Sequence, residues 1–316
     1  MKTLLKILGA IVLIVILLVV GVLGWASAAS KRILTATYDI HSVDFPIPFP
    51  VNEGNIDTPD MATAQAVERG RHLVTARYAC TECHGTNLGG GVMVDAFPIG
   101  SLLGPNLTLG EGGVTHDYTA KNWDHIIRHG VLPDGRAAVM PSEDFQMMSD
   151  QELSDIVTYI RSRPPVDNVV PASTFGPLGK ILLATGKMTP SVLRIEDHDA
   201  PHPEYPPVAV ADSAFGAHLA ATCTGCHGAN LAGGPITGGD PKWPPARNLT
   251  PHPTGLASWT FEDFRKAMIE GIRPDGTPLK APMTLVMPYA KNMTAVELEA
   301  LWVYLVSLAP VDKTIP

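Results

Sequence analysis

Positive charge, aromatic side chains and cysteine are all scarce in this sequence. Lys and Arg total 23 against 31 Asp and Glu, a net charge of −8. That excludes the basic face with which a nucleic-acid binder holds phosphates, and it points to partners with a positive face. Aromatic residues make up 6%, a thin supply of large flat groups for packed cores. Cysteines number only four. No segment alternates apolar and polar residues convincingly, which argues for helices rather than strands. Acidic residues are missing from the first 30 positions. Gly and Pro, at 29 each, run high instead, so loops and turns occupy much of the chain.

The acid-free N-terminus holds an uncharged apolar run, Ile7 to Trp25, behind Lys2 and Lys6. Its length is close to the roughly 20 residues that span a bilayer as a helix. An uncleaved membrane anchor is the leading reading. A cleaved signal peptide competes with it, because Ala26-Ser27-Ala28 has the small residues of a cleavage site. Either way, everything after residue 30 is exported.

The rest of the chain repeats itself. HGTNLGGG after Cys83 matches HGANLAGG after Cys226, and GPNLT at Gly104 matches ARNLT at Ala246. The segment from Tyr118 to Gly135 aligns without a gap to Trp259 to Gly276. Val-Met-Pro follows in both halves, and then a final helix with a capping-box start: Ser149 with Glu152, Thr294 with Glu297. The organisation read from this is an anchor or signal (1–30), a Pro-rich extended linker (31–60), a first domain (61–167), a second linker (168–207) and a second domain (208–316). Helical spacing marks Ala64 to Arg77, Trp123 to His129 and Phe261 to Glu270, the last two stopped by Pro-Asp-Gly turns. The expected fold class is all-α, with about three helices per domain.

All four cysteines fall in the two hexapeptides CTECHG, Cys80 to Gly85, and CTGCHG, Cys223 to Gly228. Disulfides or redox dithiols explain the cysteines and leave each following histidine without a role. Zinc pairs usually recur within about 12–20 residues, far closer than these two. Covalent haem attachment uses all three residue types at their positions. Two thiols join the two vinyl groups of a porphyrin, and the histidine lies beneath the ring to bind iron. Two covalently bound haem c groups follow, on Cys80 and Cys83 and on Cys223 and Cys226, with His84 and His227 as iron ligands. The haem then supplies the flat apolar core that the aromatic residues do not.

Each iron needs a sixth ligand or an open site. Met140 and Met287 stand in equivalent Val-Met-Pro elements, and a proline biases the residue before it to extended geometry. Met283 is the rival in the second domain; Met147 and Met148 are rivals in the first. The bland alternative is that these methionines fill gaps in the core. His72 and His218, eight and five residues before their cysteines, read as packed or surface histidines. His116, His125 and His129 have no second-domain equivalent. Asn106 and Asn248 bond either backbone or a haem propionate, and Arg247 is a propionate candidate without a first-domain counterpart.

CTECHG, CTGCHG, NLT, RPDG, VMPY and the capped last helix together resemble the class I cytochrome c fold, in tandem. The chain is similar to the membrane-anchored multi-haem cytochrome subunits that take electrons from periplasmic alcohol and aldehyde dehydrogenases. Those subunits commonly carry three haem motifs, and this chain carries two. The resemblance implies His84 and His227 as proximal ligands and Met140 and Met287 as distal ones. It implies haem attachment outside a bacterial cytoplasm, so the N-terminus anchors in the inner membrane with both domains in the periplasm. The implied role is an electron carrier rather than an enzyme, between a redox donor and an acceptor such as a dehydrogenase and a terminal oxidase. A di-haem peroxidase with one open haem, for which His116 is a distal candidate, is the rival from another class. A haem-based ligand sensor is a third.

Overall fold

The structure is a computed structural model that describes residues 2–41, 43–50, 59–236, 239 and 242–313. Residues 51–58 of the Pro-rich segment and 314–316 of the expected second domain lie outside the described residues.

Helix α1, Lys2–Thr35, contains the apolar run and continues ten residues beyond Trp25. Its mean hydropathy reaches 3.3 over an 18-residue window, and none of that window is buried. Length and composition suit a membrane crossing. The small residues read as a cleavage site sit inside this helix. Ala26 and Ser30, four apart and so on one face, are its buried positions.

Each half of the remaining chain builds the same packed unit. In the first, α2 (Pro59–His72) runs into a π-helical turn, Leu73–Arg77, and then α3 (Cys80–His84). After a β-hairpin come α4 (Ala120–His129) and α5 (Asp150–Ser162). Between the halves stands α6 (Pro177–Ala184). The second half repeats α2 to α5 as α7 (Ser213–Ala220), α8 (Thr224–His227), α9 (Phe261–Glu270) and α11 (Ala295–Ser307), and adds α10 (Met283–Ala290), which has no α-helical counterpart among the described residues of the first. The π-helical turn accounts for the three extra residues between His72 and its cysteines. Helix α6 packs against α1 rather than only bridging the two halves.

The entry and exit helices cross at a glycine in both halves. A Cβ on Gly70 would lie 2.0 Å from the Asp155 carbonyl oxygen and 2.7 Å from Tyr159 Cβ. A Cβ on Gly216 would lie 2.0 Å from the Ala300 carbonyl and 2.6 Å from Tyr304 Cβ. Only glycine lets α2 reach α5, and α7 reach α11, this closely. Below each crossing is a separate core: Trp123, Leu153, Ile156 and Val157 in the first half, Phe215, Phe264, Leu301 and Leu305 in the second.

Both capping boxes expected for the final helices form, and two more start α4 and α9, at Thr119 with Asn122 and Thr260 with Asp263. The stop signal for α4 and α9 differs from expectation. Gly130 and Gly271, both left-handed, end these helices. The Pro-Asp-Gly turns come just after, bracketed by the bridges Val131–Ala137 and Ile272–Pro278.

The fold is mostly helical but not purely so. Strands β1 (Gly91–Ala96), β2 (Gly100–Gly104) and β3 (Thr174–Phe175) form an antiparallel sheet in that order. The strands are short, β1 breaks register between Val92 and Val94, and β3 comes from 70 residues further along. That is why no alternation marks them in the sequence.

Part of the Pro-rich segment packs onto the first unit. Phe45 and Phe49 are buried in its core, Ser154 bonds the Pro46 carbonyl, and the Arg128 guanidinium lies over the Phe45 ring.

Candidate haem sites

Each CxxCH motif lies in a short helical turn after its entry helix: Cys80 to His84 form α3, behind a left-handed Ala79, and Cys223 caps α8. The turn ends in a glycine with positive φ, Gly85 at 77° and Gly228 at 77°. The chain then doubles back: His84 and His227 carbonyls accept from Gly90 and Gly233. Gly91 and Gly104 bring the hairpin against the first turn, where a Cβ would meet the Cys83 carbonyl at 2.7 and 2.0 Å.

The two histidines share one hydrogen bond. His84 Nδ1 lies 3.0 Å from the Pro105 carbonyl, and His227 Nδ1 lies 2.7 Å from the Arg247 carbonyl. A carbonyl only accepts, so Nδ1 carries the proton and Nε2 keeps its lone pair. Burial lowers the pKa of both rings, partly opposed by that same bond. A neutral imidazole, oriented through Nδ1 with Nε2 free, is the form that ligates a metal.

The thiols have the opposite character to a redox dithiol. Burial pushes Cys80 up to about 12 and Cys223 up to about 11. Reactive cysteines need a lowered pKa, and the four are not joined to one another as disulfides. The thiol sulfurs stand where the thioether sulfurs of an attached haem would be, and an uncharged thioether suits such burial. Cys80 and Met140 both pack on the first core. A cleft of about 230 Å³ opens beside Cys223 between the two domains, lined by Tyr78 and Glu82 of the first and by Leu219, Met268, Met293 and Leu301 of the second. The donor set and its surroundings fit covalent haem in both halves.

The expected distal residues fall in different local structures. Met140 lies in a bend, and its carbonyl accepts from Ser142 N at 2.9 Å and from the Ser191 hydroxyl. Met287 lies inside α10 rather than in an extended loop. Pro288 stands inside this eight-residue helix and takes one backbone donor from it. Met283 and Met287 are four apart, so they share a face of α10. Met287 Sδ rests against Gly271, 2.7 Å from where a Cβ would be. Met268 and Met293, beside Cys223, were not singled out from the sequence; Met268 matches Ile127 in the first half, and Met293 matches Met148, each just before the cap of its last helix.

Asn106 and Asn248 are structural. Each Oδ1 accepts from the backbone and hydroxyl of the threonine two residues on, at 2.8–2.9 Å. Each Nδ2 donates to the stretch after the last helix, Val166 or Val311. Both asparagines are buried. The exposed His116 bonds the Gly110 carbonyl at 3.2 Å, within its own loop.

Residues 65–160 match the family model described as cytochrome c oxidase, cbb3-type, subunit III, and residues 213–309 match the model for cytochrome c. The chain carries two cytochrome c domains. Two covalently bound haem c groups go with them, one per domain.

The tandem cytochrome is similar to the cytochrome c subunit of the quinone alcohol dehydrogenase of Gluconacetobacter polyoxogenes, 27% identical over 286 residues, 81% of this chain and 58% of that one. It is similar over shorter stretches to the fructose dehydrogenase cytochrome subunit of Gluconobacter japonicus, 28% identical over 118 residues. The gluconate 2-dehydrogenase cytochrome c subunit of Pantoea cypripedii is 29% identical over 106 residues. Those two matches cover 35% and 32% of this chain, and each covers 24% of the relative. The chain thus matches at most 58% of the length of these relatives.

Proposed function

We propose that this di-haem cytochrome carries electrons from a periplasmic dehydrogenase to a further redox protein, held at the bacterial inner membrane by α1. His84 with Met140, and His227 with Met287, would hold the two haem irons; Met283 is the alternative to Met287. Iron held by a histidine and a methionine would supply one-electron transfer at a raised potential rather than substrate chemistry.

One observation carries the relay. The third residue of each haem motif touches the opposite domain. Glu82 accepts a hydrogen bond from the Tyr289 hydroxyl at 2.6 Å. Gly225 sits against the Asp144 carboxylate, 2.5 Å from where a Cβ would be. Both attachment turns therefore border the domain interface, which favours passage between them over two independent carriers. The likeness to dehydrogenase cytochrome subunits supports a dehydrogenase as donor. The net charge of −8 supports a partner with a positive docking face. The exposed apolar faces of α1 support a retained anchor.

Carbon monoxide titration of the reduced protein tests the closed sites. The wild type should bind none. Met140→Ala should open one haem, and Met287→Ala the other. Binding by the wild type at either haem would favour the peroxidase or sensor alternatives.

A further inference from the structure

Helix α4 and the segment leading to the second domain bring together a donor set separate from both haem motifs. Asp124 and His129 are fully buried. Asp124 Oδ1 is held by the Arg128 guanidinium at 2.6 Å, but its Oδ2 is buried without a hydrogen-bond partner. His129 Nε2 lies 3.8 Å from that oxygen and 3.3 Å from His202 Nε2. One ligand atom from each of the three residues falls within 4.8 Å of the others.

The proton positions follow from the chain of contacts. His198 Nε2 faces the Val192 carbonyl at 3.0 Å, so it carries the proton and leaves Nδ1 as an acceptor. His129 Nδ1, 3.0 Å away, donates to it. His129 Nε2 is then a bare lone pair, directed at His202 and Asp124. This is the arrangement of a metal-ligating histidine oriented by an outer partner. Protein hydrogen bonds alone can satisfy the two histidines, yet they leave Asp124 Oδ2 with nothing. A cation satisfies all three.

We propose that Asp124, His129 and His202 bind a divalent transition-metal ion of the zinc type. Two imidazoles and a carboxylate are a set that zinc takes, and tetrahedral ligands at about 2.0–2.1 Å stand roughly 3.3–3.4 Å apart. The 3.3 and 3.8 Å separations need little closing. Arg128 brings a positive charge to the site, but Asp124 and Asp150, the latter at 2.8 Å, hold it. His41 stacks edge-on to His129 at 5.6 Å between ring centres and walls the site without ligating. The ion pins α4 to the connector, whose Pro203 and Glu204 carbonyls already accept from the first turn of α5. It thereby fixes how the second domain departs from the first.

The test is zinc stoichiometry on the full-length, haem-loaded protein, tag removed, stripped with chelator and dialysed against zinc chloride. One zinc per chain above the haem iron is expected. His202→Ala should bind zinc about 100-fold or more weakly, and His198→Ala roughly 10–100-fold more weakly, with both haem spectra unchanged. His252→Ala should bind like the wild type. No zinc retained by the wild type at micromolar free zinc overturns the site, and so does equal retention by His202→Ala. The wild-type count decides even if a variant fails to fold.

Discussion

Glu152 of the first domain accepts a hydrogen bond from His218 of the second at 2.9 Å, and Glu297 of the second accepts one from His72 of the first at 2.8 Å. The two contacts are mirror images. Each glutamate is the capping-box residue of its own last helix, with Oε2 on the Ser149 or Thr294 backbone and Oε1 on the other domain's histidine. Arg77 lies between them and pairs with both carboxylates.

Arg77→Met should uncouple the domains. It leaves two buried carboxylates without their shared cation, a loss of about 3–5 kcal/mol for a broken buried pair. Calorimetry should then show two transitions where the wild type shows one.

Acid should do the same. Burial alone would raise Glu297, but the His72 hydrogen bond and the Arg77 charge more than offset it and hold the carboxyl at about 2. Glu152 is lowered as well, against its burial, chiefly by His218. A depressed carboxyl stabilises above its unfolded value and loses that as pH falls through its folded value. Tm should therefore drop between roughly pH 4.5 and pH 2, and Glu297→Gln should flatten that slope.

Asp144 should act with the opposite sign. Burial first, then the neighbouring Glu143 charge, pushes it up to about 7 beside the second haem motif. Its native form holds a proton that the unfolded chain gives up, so stability falls as pH rises from about 4 to about 7. Asp144→Asn should remove this fall and raise Tm at alkaline pH.

Gly70→Ala and Gly216→Ala should each lower stability by about 1–3 kcal/mol through overpacking at the helix crossing. Denaturant midpoints measure this. Equal losses would show the two domains built on one plan; an unaffected Gly216→Ala would contradict that crossing in the second domain.

The haem motifs, the last helices and their capping boxes were legible because each depends on residues a few positions apart. The histidines at 72 and 218 were not, because their partners lie 225 and 66 residues away, across the domain interface. The sheet was hidden by short strands and glycines placed for close approach to Cys83. Met287 was expected in extended backbone on the strength of Pro288, and a short helix overrode that local bias. The buried donor set at Asp124 needed the connector folded back onto α4 to exist at all.

Two closed, methionine-ligated haems are the central claim, and the far-red absorption of the oxidised protein tests it most directly. Methionine sulfur on ferric haem gives a weak band there, to be scaled to total haem. Intensity sufficient for both haems is the predicted result. Intensity for one haem or none would contradict the electron relay and bring an open iron to the front.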